Sequence, residues 1–115
     1  VAVVGRGVHR VTRTKKALPP IPATIPSVLG DVPVTCVVDL RNLRDEACFG
    51  IWRSAQRDVR LEVNMSSITA WQTYWHEWAH ILLWDASIDV SEELAERLCD
   101  ALATARVREM LDDRG

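Results

Sequence analysis

His76-Glu77-Trp78-Ala79-His80 sets two imidazoles four residues apart, with a carboxylate beside the first. On a helix, positions i and i+4 point the same way, one turn apart. Two rings so placed can share one Zn²⁺ at about 2.0–2.1 Å each. Glu77 falls on nearly the same face. It is too close in sequence to ligate comfortably, yet it can reach a water on the metal, which is where a general base for peptide hydrolysis belongs. By average composition the pattern arises by chance in roughly one chain of this length in a few hundred. Two of the three histidines in the chain are spent on it. The competing explanation, a structural pair of histidines, needs no metal.

A catalytic zinc takes three protein ligands and leaves one position open. No histidine follows His80, so the longer His-x-x-Gly-x-x-His extension of the metzincins is absent. His9 sits in a basic arm and is a poor third ligand. The acids that follow are Glu92, Glu93 and Glu96. Glu92 and Glu93 suit the first turn of a helix, where negative charge favours the dipole. Glu96 lies deeper, with Asp100 one turn on. A ligating histidine commonly donates its other N–H to a carboxylate, so Glu96 and Asp100 can supply one ligand and one orienting group. Glu96 is the favoured third ligand and Glu92 the alternative.

The elements that must position these groups are legible in outline. Ser66 or Ser67 suits an N-cap, and a helix is predicted from about Ile68 to Trp84. Ile68, Trp71, Trp75, Trp78, Ala79 and Leu82 form its apolar stripe, expected to pack on a sheet. Thr69, Thr73, His76, Glu77 and His80 occupy the opposite face. After a short connection, Asp89 or Ser91 caps a second helix running to about Leu111, with Leu94, Leu98, Leu102 and Ala105 as its apolar residues. Three strands are expected: Val34–Val38, Cys48–Trp52 and Val59–Val63. The polar segment Ser54–Asp58 suits a hairpin. All five prolines fall between Ala17 and Pro33. That stretch reads as a linker or strap with little regular structure, and the folded domain is expected from about Pro33.

Composition narrows the classes. With 115 residues, 48% hydrophobic and 26% charged, the chain suits one globular domain. No apolar run approaches the roughly 20 residues of a membrane span. No sustained apolar segment follows the basic N-terminus, so no signal peptide is expected. Cys36, Cys48 and Cys99 are odd in number and widely spaced. A disulfide framework is therefore not expected, and a cytoplasmic setting is. Residues 1–16 hold five basic residues and no acid, whereas the remainder holds nine basic and sixteen acidic ones. Such an arm suits a solvated tail, and secondarily a contact with nucleic acid.

His-Glu-x-x-His followed by a helix bearing Glu-x-x-x-Asp resembles the gluzincin pattern, and most closely the compact ImmA/IrrE-type metallopeptidases. Small peptidases of this kind occur in phages and mobile elements. The resemblance runs from about Gly50 to Ala105, through Gly50-Ile51-Trp52, the segment His76–Trp84 and the segment Glu93–Asp100. It implies His76, His80 and Glu96 as zinc ligands, Glu77 as general base and Asp100 as the residue behind a ligand. It further implies a minimal zincin-like α+β domain over residues 33–115, preceded by the arm and strap of residues 1–32. In that domain a small three-stranded, mainly antiparallel sheet packs on the His-Glu-x-x-His helix and a following C-terminal helix. Ala79 stands where relatives often carry glycine.

The resulting expectation is a zinc-dependent metallopeptidase in the cytoplasm (the host's, if phage-encoded), with a peptide or protein substrate and no membrane association. A sheet edge at Val59–Val63 would bind the extended substrate. No Tyr, His or Arg presents itself to stabilise an oxyanion. The alternative is therefore a catalytically weak or inactive metal-stabilised binding or assembly module, in one version a nucleic-acid-associated phage regulator.

Overall fold

Residues 18–114 are described by the computed structural model. The basic arm and His9 lie outside the described residues. The chain runs through β1 (Thr24–Ile25), β2 (Val32–Val37), β3 (Gly50–Arg53), β4 (Asp58–Glu62), α1 (Ser67–Asp85) and α2 (Glu92–Arg114). The architecture is α+β, as expected. No helix among the described residues is long and apolar enough to cross a membrane.

The sheet is four-stranded and mixed, in the order β1-β2-β4-β3, not three-stranded and mainly antiparallel. After β2 the chain makes a long excursion over residues 38–49, descends as β3 at the outer edge, and turns back to lay β4 between β2 and β3. That path makes β4 parallel to β2, with Val34 opposite Val59 and Cys36 opposite Leu61, and antiparallel to β3. A hairpin at Ser54–Arg57 joins β3 to β4, and it is clamped by Arg53, whose Nε and Nη2 reach Asp58 at 2.7 and 2.6 Å. Because β4 is internal, the Val59–Val63 segment is not an edge. The edge strand on this side is β3.

Alternation in β4 buries Val59 and Leu61 and turns Asp58, Arg60 and Glu62 to the opposite face. The excursion is held by side chains that can serve as local turn formers. Asn42 Oδ1 accepts from the amides of Arg44 and Glu46. Glu62 accepts from the amides of Leu40 and Asn64, which lowers its pKa.

The proline-rich stretch is built into the fold rather than laid upon it. Ile25 and Val32 are core residues. The Tyr74 hydroxyl donates to Thr24 O at 2.7 Å, and Trp71 Nε1 donates to Pro19 O at 2.7 Å. The packed body therefore reaches back beyond residue 33.

Helix α1 begins at the Ser66 cap, whose hydroxyl accepts from the Thr69 amide. Of the expected apolar stripe, Trp71 and Ala79 are buried, Trp71 in one core cluster with Ile25, Val59 and Leu61, but Tyr74, Glu77 and Ile81, from outside the stripe, are buried as well. Trp75 and Trp78 turn instead toward α2, where the Arg106 guanidinium lies 4.3 and 5.5 Å from their ring centres and Trp75 Nε1 meets Met110 Sδ at 3.2 Å. Ile68 is 52% exposed. Helix α2 is capped by Ser91, whose hydroxyl accepts from the Leu94 amide. It buries Cys99, Ala103 and Val107, and leaves Leu94, Leu98 and Leu102 about two-fifths exposed, at 43%, 38% and 41%. Two of the three inward residues, Cys99 and Ala103, are small.

Candidate metal centre

His76 and His80 emerge from α1 on one side, one turn apart, and α2 brings Glu96 and Asp100 against them. His76 Nε2, His80 Nε2 and the Glu96 carboxylate form a group whose ligand atoms lie within 4.8 Å of one another. The two Nε2 atoms are 3.1 Å apart. Glu96 Oε1 is 3.2 Å from His76 Nε2, and Oε2 is 2.6 Å from His80 Nε2. Glu92, the alternative third ligand, is exposed in the first turn of α2 and is not part of this group.

Asp100 Oδ1 lies 2.8 Å from His76 Nδ1. A carboxylate only accepts, so the Nδ1 proton of His76 is spent there and Nε2 of the neutral ring presents a lone pair. That lone pair faces another imidazole nitrogen and a carboxylate oxygen. Lone pairs so converged repel, and the cluster is relieved only by ring protons or by a cation at its centre. Tetrahedral zinc with bonds of about 2.0–2.1 Å separates neighbouring donors by about 3.3 Å. The two ring nitrogens stand about 0.2 Å inside that spacing, whereas Glu96 meets His76 through Oε1 and His80 through Oε2, so a single ligating oxygen must shift, which its exposed side chain permits. The donor set fits a zinc ion. Burial and the neighbouring His76 lower the His80 pKa against the opposing pull of Glu96 and Asp100, which favours the neutral, ligating ring.

Glu77 sits beside the group but faces the sheet. It is 6% exposed. Burial pushes its pKa up to about 7; the Glu96 charge adds to this, and His76 and the Trp52 backbone amide oppose it. Its carboxylate can lie there because residue 50 is glycine. A β-carbon at Gly50 would stand 3.2 Å from Glu77 Oε2 and 2.6 Å from Thr73 Cγ2. Sequence reasoning missed this cradle; the available signal was a glycine inside a strand, which often marks close approach by another group. Cys99, on the buried side of α2, has its thiol pKa pushed up to about 12 by burial and by Glu96, Glu77 and Asp100. It is not part of the ligand group.

No family model, curated protein or solved structure matches this chain.

Two hollows open on the group along β3. One, of about 270 Å³, is lined by Gly50, Ile51, Trp52, both histidines, Glu77 and Glu96. The other, of about 440 Å³, continues past Gly50 and Glu77 to Phe49, Ile68 and Asp100. Together they form a groove beside the open edge of β3.

Proposed function

We propose that the chain is a zinc-dependent metallopeptidase. The observation that carries this reading is the conjunction of three convergent donors from two helices with a buried carboxylate whose pKa lies near neutrality. His76, His80 and Glu96 would hold the zinc, which when bound supplies an acidified water and a Lewis acid. Asp100 holds the His76 ring in the tautomer that leaves Nε2 free to ligate. Glu77, with its pKa raised to about 7, is suited to take a proton at neutral pH and to return it to the leaving amine. β3 is the outer strand of the sheet on this side, beside the groove, where an extended peptide could lie, and exposed Phe49 and Ile68 offer an apolar contact for its side chains.

The test has two arms. The purified chain is expected to bind one equivalent of zinc and to lose it in Glu96→Ala. Glu77→Gln is expected to keep the metal and lose cleavage of a peptide library. Undiminished cleavage by Glu77→Gln would sink the assigned role of that residue.

A second reading has its own support. Among the described residues lining the two hollows there is no Tyr, Arg or Lys, so an oxyanion would depend on the metal alone. A metal-stabilised binding module is the reading that follows. Stoichiometric zinc with no chelator-sensitive cleavage would select it.

A further inference from the structure

The face of the sheet turned away from the helices carries another cavity. Its volume is about 660 Å³, inside the range of about 300–1,000 Å³ usual for small-molecule sites. Its floor is the outward side of β3 and β4, where Ile51 lies opposite Arg60 and Arg53 opposite Asp58. Its wall is the segment from Leu40 to Arg44, part of the excursion between β2 and β3. Arg41, Arg44, Arg53 and Arg60 line it, and among the described residues no carboxylate does.

Two of these four charges are already matched. Arg53 holds Asp58 through two bonds, and Arg41 Nε lies 3.2 Å from Asp39. Arg44 and Arg60 form no ion pair among the described residues. Arg60 is the more telling. It sits half-buried on an internal strand between Thr35 and Ile51, and the one carboxylate it acts on, Asp58, is already held by Arg53 through two bonds. The excess is two positive charges beside Ile51 on the outward face and the wall segment from Leu40 to Arg44; Trp52, in register with buried Val59, belongs to the core-facing side of β3.

We propose that this cavity binds a nucleotide-sized phosphate monoester, with the phosphate on Arg44 and Arg60 and the organic part against Ile51 and the wall segment from Leu40 to Arg44. A phosphate monoester carries about −1.5 to −2 charges at neutral pH, which matches the excess; a single carboxylate leaves half of it unmet. Guanidinium forks pair with phosphate oxygens two at a time. The site shares Ile51 and Trp52 with the metal groove but uses none of its ligands, so it stands apart from the zinc reading.

The probe is 5′-AMP, titrated calorimetrically into the full chain beside adenosine, inorganic phosphate and citrate. AMP is expected to saturate at one per chain, with adenosine and inorganic phosphate at least tenfold weaker. Arg44→Ala, on an exposed segment where the fold is not at stake, is expected to weaken AMP at least tenfold. Arg60→Lys keeps the charge but not the fork, and is expected to do the same, with its thermal melt checked against the parent. Absence of AMP binding at millimolar concentration, AMP no tighter than adenosine, or AMP binding indifferent to both substitutions would overturn the proposal. Citrate binding tighter than AMP would overturn the assignment to phosphate.

Discussion

Replacing Gly50 by alanine separates the packing of the groove from the holding of the metal. The new methyl group would stand 2.6 Å from Thr73 Cγ2, 3.1 Å from Leu61 Cδ2 and 3.2 Å from Glu77 Oε2. Carbon atoms in contact prefer about 3.5–4.0 Å, so the first of these falls short by about 1 Å. Neither carbon neighbour can retreat. Thr73 is fixed by its hydroxyl bond to Thr69 O at 2.8 Å, and Leu61 is fully buried. The strand must move instead, and β3 has a ladder partner on one side only. Overpacking of this kind costs about 1–3 kcal/mol, and each kcal/mol lowers Tm by about 4–8 °C in a domain of this size. The ligand atoms are carried by α1 and α2, so zinc affinity is expected to survive. Cleavage is expected to fall on the order of 100-fold, the cost of a displacement of about 1 Å between base and substrate strand. Thermal melts, competition with a chromophoric chelator, and peptide hydrolysis at saturating zinc read the three quantities. A variant as stable as the parent would refute the packing of β3 on α1. Loss of zinc together with stability would refute the separation of strand from metal.

Asp100→Ala is expected to weaken zinc about tenfold, the low end of the usual 10–100-fold effect of residues behind a ligand, because Asp100 is exposed; Glu92→Ala, measured by the same chelator competition, is expected to change nothing. The pair of Arg57 with Asp85, at 2.9 and 3.0 Å, holds the Asp85 pKa below its ordinary value of 3.8. A depressed carboxylate stabilises the fold fully above that value and loses its contribution as pH falls through the lower folded value. The stability gap between parent and Asp85→Asn, measured by urea unfolding, is therefore expected to hold steady above the ordinary value and to close below it. Thiol labelling is expected to reach exposed Cys36 in the native protein and Cys99, which has no accessible surface, only after unfolding.

The cluster of His76, His80, Glu96 and Asp100 was legible because its information is local: His76 and His80 are one helical turn apart, and Glu96 is one turn from Asp100. The cap at Ser66 and the alternation of Val59 and Leu61 are local as well. Three features were not. Strand β1 is two residues long between prolines, and only its pairing with β2 and the Tyr74 hydroxyl make it a strand. The parallel contact of β2 with β4 joins residues 25 apart, for example Val34 and Val59, and no periodicity records which strand slips between which. The inward face of α2 was misread: hydrophobicity ranks leucine above alanine and cysteine, but the side of α2 turned inward carries Cys99 and Ala103.

That choice of face has an energetic meaning. Turning α2 by one residue, about 100°, would carry Leu94, Leu98 and Leu102 inward in place of Cys99 and Ala103. It would also swing Glu96 and Asp100 off the histidines and pull Arg106 from Trp75 and Trp78. The helix thus carries two competing addresses, one written in leucines and one in its carboxylates and its arginine, and the native fold follows the second. An ion held between α1 and α2 would bias that competition further, acting as a bolt that fixes the rotational setting of α2 as well as a reagent.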